Sequence, residues 1–149
     1  GFYVSWFDNA AGGYDVRLQR LSATGIELWP HNGVLVADRN LSSTTDYGLS
    51  VDTAGNALHA FNDDSEAFER IVAAKISPDG LAIWGTPGIA VSTSTGFLAS
   101  PRIAGTDDGD VVVAFGKGHE TYQEVAGKKL PFPERDILAR LAAEREAGS

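Results

Sequence analysis

The sequence predicts a mainly β chain: about two four-stranded antiparallel units followed by a short strand-and-helix tail. Three observations lead there. Short apolar runs separated by Gly, Asn and Asp turns fill the first 115 residues, and these runs recur at a spacing of 54 to 55. The pattern stops near residue 115, where an unrelated Lys-, Arg- and Glu-rich segment begins. At 149 residues the chain is long enough for one modest domain with a real core, and too short for several large ones.

The repeat is read by laying Leu21-Ser22-Ala23-Thr24-Gly25-Ile26-Glu27-Leu28-Trp29 over Ile76-Ser77-Pro78-Asp79-Gly80-Leu81-Ala82-Ile83-Trp84. Turn, apolar positions and tryptophan coincide at an offset of 55, and Gly33-Val34-Leu35-Val36 then falls on Gly88-Ile89-Ala90-Val91. Residues 47–61 align with 101–115 at an offset of 54. The runs ending in Trp6, Phe61 and Phe115 occupy one repeat position: a turn residue, four strand residues, then an aromatic. For the second copy the four strands are expected near residues 102–105, 57–61, 70–76 and 89–91. Their connections, such as Asp52-Thr53-Ala54-Gly55-Asn56, Pro78-Asp79-Gly80 and His31-Asn32-Gly33, supply the Asx and Gly chemistry of tight turns.

Four strands per unit at a period near 50 is the signature of a propeller blade. Residues 1–115 resemble bacterial β-propeller repeats, at Gly1, Trp6, Gln19, Arg20, Gly25, Trp29, Gly33 and Val36. A closed ring needs about four to eight blades and here there are about two. Apolar faces that a ring would cover are therefore left open, and the piece is expected to be marginal alone, to self-associate through them, or to belong to something longer. Trp29 and Trp84, each following a Gly turn, read as packing between units rather than as ligand-stacking residues. The loops Asp107-Asp108-Gly109-Asp110 and Asn62-Asp63-Asp64-Ser65-Glu66 offer the hard oxygens that calcium takes, but without a complete ligand spacing they read as solvated turns. His59 on a strand and His31 in a turn lack a second His or a carboxylate at metal or catalytic spacing.

Charge separates the two parts. Residues 1–115 hold 6 Lys/Arg against 14 Asp/Glu, whereas residues 116–149 hold 6 against 6, so all the excess acidity is in front. A net charge of −8 argues against nucleic acid and anionic membrane surfaces as partners. The absence of Cys removes disulfides, thiol nucleophiles and thiolate metal sites. No apolar run approaches the roughly 20 residues of a membrane span. Beginning at Gly1 inside a strand-like run, with no initiator Met, the sequence reads as an excised or incomplete fragment.

The tail carries Gly116-Lys117-Gly118-His119-Glu120-Thr121-Tyr122-Gln123, then Gly127, then Phe132-Pro133-Glu134-Arg135-Asp136. Residues 110–141 resemble the C-terminal end of the Mur ligases, most closely the branch that adds the third, diamino residue to the UDP-N-acetylmuramoyl dipeptide. In that family the motif follows a strand to which Gly109-Asp110-Val111-Val112-Val113-Ala114 also corresponds, so six residues serve both resemblances; Phe115 is the departure from the ligase pattern. The resemblance implies that Gly116 and Glu120 touch the amino acid being added, the Glu carboxylate pairing with its distal ammonium, while Lys117 and His119 shape the loop. A carboxylate is the natural partner of an ammonium, and Gly lets a ligand approach the backbone closely. The chain has no G-x-x-x-x-G-K-[ST] phosphate loop, so ATP and Mg would enter only in a complete ligase. A helix is expected over about 133–147: Pro133 suits its first turn, Glu134 and Asp136 complement its dipole, Asp136/Arg140 and Arg140/Glu144 stand at i,i+4, and Gly148 ends it.

The division is thus residues 1–115, propeller-like, and 116–149, ligase-like. The favoured reading is a non-catalytic repeat scaffold or interaction fragment, with no catalytic residues, metal or cofactor, and with an unidentified protein or polysaccharide as partner. The alternative is a fragment of an ATP-dependent Mur ligase of peptidoglycan precursor synthesis, keeping only part of the amino-acid-binding loop. The front part points to secretion or the cell envelope and the tail to the cytoplasm, which leaves the compartment open.

Overall fold

A computed structural model describes residues 1–40, 45–65, 69–92, 98–116, 122–125 and 128–131. The chain falls into two compact units, Gly1–Lys117 and Gly118–Ser149. The described residues are mainly β, and no helix occurs among them.

The first unit is a run of antiparallel meanders. Sheet one has the order β1 (Phe2–Asp8), β2 (Asp15–Leu21), β3 (Val34–Ala37). Sheet two has the order β4 (Gly48–Val51), β5 (Ala57–Asp63), β6 (Arg70–Ile76), β7 (Ile89–Ala90). Sheet three pairs β8 (Ala99–Gly105) with β9 (Val111–Gly116). In every sheet, neighbours in sequence are neighbours in space, which short turns between antiparallel strands dictate. The second unit, as described, is one hairpin, β10 (Tyr122–Val125) with β11 (Lys128–Pro131), in the register Tyr122↔Pro131 to Val125↔Lys128.

The expectation of about two four-stranded units is corrected here, since the three sheets of the first unit have three, four and two strands. The segment 102–105 does not join 57–61 in one sheet; it lies within β8 and pairs with β9. β4 takes that place, because the turn after Val51 folds it straight back on β5 in the register Gly48↔Ala60 to Val51↔Ala57. Sheet one, as described, has the three strands β1, β2 and β3, with none in the place that β4 takes in sheet two. The helix expected over 133–147 lies outside the described residues.

The turns explain why the meanders look alike. Ser22 N–H donates to Ile26 O at 2.9 Å and Gly25 N–H to Ser22 O at 3.0 Å; Ser77 N–H donates to Leu81 O at 2.9 Å and Gly80 N–H to Ser77 O at 2.9 Å. Gly25 and Gly80 share φ 84°, a left-handed conformation in which any Cβ is strained. The Ser22 and Ser77 hydroxyls each accept the fourth amide along, Ile26 N–H at 3.0 Å and Leu81 N–H at 3.1 Å. A second turn also recurs: Asp52 N–H to Asn56 O at 3.0 Å matches Thr106 N–H to Asp110 O at 2.9 Å.

Packing follows from the pleat. Tyr3 and Phe7 on β1, with Val16, Leu18 and Val36, meet Ala57, Phe61, Val72 and Ile76 of sheet two. The opposite face of sheet two presents Leu58, Ala60 and Ala73 to Ile103, Val111 and Val113 of sheet three. β5 is thus covered on both faces and buried at all seven positions, which is why its sequence lacks hydrophobic alternation. Trp29 is buried between sheets one and two and donates Nε1–H to Pro78 O at 2.9 Å, whereas Trp84 is only partly buried beside the second core cluster.

Phe61 fills the first core cluster with no exposed surface. The substitution Phe61→Ala is expected to cost about 3–5 kcal/mol of unfolding free energy, read from the urea midpoint. Ile26→Ser, at a turn position 65% exposed, should shift stability by no more than about 0.5 kcal/mol.

Candidate functional site

Of the two residues singled out from the tail, Gly116 is described and Glu120 lies outside the described residues, as do Lys117 and His119. Gly116 ends β9 and pairs with Ala99 across the register with β8. Ala99 lines a cavity of about 150 Å³ with Thr45, Asp46, Asn62, Leu98 and Ser100. Ser100 is held there at φ 53° and donates Oγ–H to Asp46 Oδ2 at 2.9 Å. Thr45 Oγ1 and Asn62 Oδ1 are buried without a hydrogen-bond partner. A cavity smaller than the usual 300–1,000 Å³ of a ligand site, with two acceptor atoms to satisfy, suits ordered water rather than an organic substrate.

The strongest concentration of buried charge surrounds Arg39, which no sequence signal had marked. It follows the last residues of β3 and is 1% exposed. Its Nε–H donates to Tyr14 O at 2.6 Å and its Nη1–H to Asn62 O at 2.7 Å, while the guanidinium lies 4.2 Å from the centre of the Phe7 ring. Burial pulls its pKa down, and the carboxylates of Asp64, Asp63, Asp15 and Glu69 oppose that fall. Asp63 is fully buried, with Arg70 Nη2 at 3.4 Å and Ser65 Oγ–H donating at 2.7 Å. The acidic loop at residues 62–66, expected as a solvated turn, is therefore corrected at Asn62 and Asp63: both are packed inside and matched to cations. The loop at 107–110 is exposed. Only the acidic half of these pairs recurs in the sequence: Asp8 and Asp63 stand 55 apart at the ends of β1 and β5, but their cations, Arg17 at 2.8 Å and Arg70 at 3.4 Å, sit at different register positions.

His59 is fully buried between sheets one and two, its Nε2 3.0 Å from Ser5 Oγ, while Tyr47 donates its hydroxyl to Ser5 O at 2.9 Å. A serine beside a histidine invites a nucleophile-and-base reading. Here the other nitrogen, Nδ1, has no hydrogen-bond partner to orient the ring, and burial followed by the Arg39 charge pushes the pKa down to about 3. Such a ring is a poor base near neutrality; it works as a structural hydrogen-bonding wedge. His31, by contrast, does have a carboxylate at hand: Glu27 Oε2 lies 3.1 Å from Nδ1, an exposed i,i+4 pair that the sequence reading overlooked. Among the described residues, no group of three or more His, Asp or Glu side chains is placed to hold a metal ion.

Asp52 organises the turn between β4 and β5. Its Oδ1 accepts Ala54 N–H at 3.0 Å and Asn56 N–H at 2.8 Å, its Oδ2 accepts Asn56 Nδ2–H at 2.8 Å, and Lys75 Nζ lies 2.8 Å from Oδ2. Burial alone would raise its pKa, but the hydrogen bonds from Asn56 and Lys75 outweigh that and hold it at about 2. The carboxylate is a turn clamp with every lone pair engaged. Among the described residues, polar groups are thus concentrated where sheets one and two meet and at the turns, without a convergent set open to a substrate.

Comparison with known proteins finds short matches to one group of ligases. A stretch of 37 residues is 51% identical to the UDP-N-acetylmuramoyl-L-alanyl-D-glutamate–2,6-diaminopimelate ligase of Caldanaerobacter subterraneus, covering 25% of this chain and 8% of that protein. A stretch of 54 residues is 52% identical to the UDP-N-acetylmuramyl-tripeptide synthetase of Leifsonia xyli, covering 36% and 10%. The 2,6-diaminopimelate ligase of Cytophaga hutchinsonii is 54% identical over 33 residues, 22% of this chain and 7% of that protein. The chain thus spans a tenth or less of the length of these relatives. No family model matches the chain, and no solved structure matches it.

The buried groups set the acid stability. Below about pH 6.5 an unfolded His59 takes a proton that the folded ring refuses until about pH 3, so stability falls as pH falls through that window. Asp52 adds stability that is complete above about pH 3.8 and is lost toward pH 2, in the same direction. Urea midpoints should therefore drop steadily from pH 6.5 to 3, with His59 supplying up to about 1.4 kcal/mol per pH unit. His59→Gln, which keeps a donor for Ser5 and does not titrate, should flatten the slope between pH 6 and 4 while leaving the fall below it.

Proposed function

We propose that residues 110–141 are the end of a Mur ligase that retains part of its amino-acid-binding loop, joined to a mainly β scaffold of residues 1–115. The observation that carries this reading is the identity of about half over short stretches with proteins whose names specify the addition of 2,6-diaminopimelate. In this reading Gly116, at the end of β9, leads into the loop, and Glu120 offers its carboxylate to the distal ammonium of a diamino acid. A charge-assisted hydrogen bond between these groups is among the stronger polar contacts available, and the missing side chain at Gly116 leaves room for the ligand beside the backbone. The chain has no phosphate loop, so its residues do not fit a nucleotide, and the role reached is recognition of an amino acid, not its ligation.

For residues 1–115 a propeller-like, non-catalytic scaffold remains the second reading. What supports it is the return of the same turn hydrogen bonds, Ser22 to Ile26 and Ser77 to Leu81, and the stacking of successive meanders through apolar faces. Saturable turnover of any substrate by the purified chain would remove it.

Titration calorimetry of the folded chain with meso-2,6-diaminopimelate, and separately with the UDP-linked dipeptide acceptor, tests the ligase reading. A single loop contact should give a dissociation constant on the order of 1 mM, weakened tenfold or more by Glu120→Gln. Absence of heat with either compound, from a chain whose circular dichroism shows it folded, would overturn the assignment of this loop.

A further inference from the structure

The first unit already contains two copies of one interface, and the faces that would make a third are open. The cross-strand pairs of sheet one, Phe2↔Leu21, Val4↔Gln19 and Trp6↔Arg17, repeat in sheet two at an offset of 55 as Ala57↔Ile76, His59↔Ala74 and Phe61↔Val72. Directly paired residues of antiparallel strands share a face. Ala57, His59 and Phe61 lie on the front face of sheet two, are wholly buried, and pack on the back face of sheet one through Tyr3, Ser5 and Phe7. Phe2, Val4 and Trp6 are therefore the front face of sheet one, in the same register, and Leu35 joins them by its pairing with Arg17. Phe2 is 49% exposed, Val4 39% and Leu35 44%, so no described residue covers this face as sheet one covers sheet two.

The other end of the unit mirrors this. Leu58 and Ala60, on the back face of sheet two, are wholly buried against Ile103, Val111 and Val113. At an offset of 54 their register positions in sheet three are Val112 and Ala114, which lie opposite Ala104 and Arg102. Val112 is 58% exposed. Among the described residues, the sheet-one front is thus exposed at Phe2, Val4 and Leu35 and the sheet-three back at Val112, the two halves of the contact made twice inside the molecule.

We propose that a second copy of this chain completes the series, its sheet-three back, built on Ala104, Val112 and Ala114, seating on the sheet-one front of Phe2, Val4, Trp6 and Leu35. This goes beyond the ligase reading of the tail and does not rest on it. The contact is heterologous, because front meets back in both internal examples, so copies add head to tail instead of closing as a symmetric pair. The back face is two strands wide, which makes the contact a small and weak one. A net charge of −8 on each copy opposes approach, so added salt strengthens association by screening.

Sedimentation velocity of the purified chain over about 5 to 500 µM tests this, with weight-average mass expected to climb with concentration and further at higher salt. Val4→Glu removes the front and Val112→Glu the back; each variant alone should stay monomeric, and an equimolar mixture should form a one-to-one dimer that grows no further. Leu35→Glu and Ala104→Glu are second substitutions at front and back, and circular dichroism confirms that each variant is folded. A wild-type chain monomeric throughout overturns the proposal. So does a Val112→Glu variant that still dimerises, which would show that two fronts meet, or a mixture that stays monomeric.

Discussion

Everything in the first unit depends on β5 being covered on both faces. Its seven residues are buried throughout, because sheet one packs on Ala57, His59 and Phe61 while sheet three packs on Leu58 and Ala60. A strand in that position cannot afford alternation, and its sequence is apolar or small apart from His59, Asn62 and Asp63. Those three polar residues set the terms for their surroundings. His59 requires the Ser5 hydroxyl, Asn62 donates its side-chain amide to Leu98 O while its main-chain carbonyl accepts from Arg39, and Asp63 requires a cation, so burial of one strand draws partners from several neighbouring segments.

That arrangement explains why a buried Ser–His pair and a cluster of buried charges do not make an active site. Catalytic groups need access to a substrate, a third group to orient the base, and a pKa near the working pH. The His59 ring is sealed between sheets, its second nitrogen is unpaired, and its pKa is pushed far below neutrality. The same desolvation that disqualifies it for proton transfer makes it costly to protonate, so the chemistry of the pair appears as acid sensitivity of the fold. Arg39 is similar: it is held by backbone carbonyls and the Phe7 ring, and its charge serves to knit the meeting of sheets one and two.

Among the described residues of the first unit, Phe2, Val4, Leu35 and Val112 are exposed while Arg39, His59, Asn62 and Asp63 are buried. Short stretches covering 22–36% of the chain are shared with ligases whose names specify 2,6-diaminopimelate or a muramyl-tripeptide. β9 belongs to both: it supplies Val111 and Val113 to the core and ends in Gly116, where the ligase-like motif begins. A short run of Val and Ala flanked by glycines satisfies either role, because a β-strand asks only for apolar residues at alternate positions.

By itself the sequence determined the mainly β character, the turns at Ser22–Gly25 and Ser77–Gly80, and the core role of Trp29. Those are local properties: a Gly that must adopt positive φ, an Asx side chain that bonds two residues on, and a period in the apolar runs are written in neighbouring letters. Tertiary structure alone decided that 102–105 pairs with β9 instead of β5, that Asn62 and Asp63 are inside, and that Arg39 meets the first and Arg70 the second. It also decided which face of each strand is covered. Strand partners and buried charges are chosen by residues dozens of positions away, and a loop rich in Asp reads as solvated until the arginines that neutralise it are brought alongside.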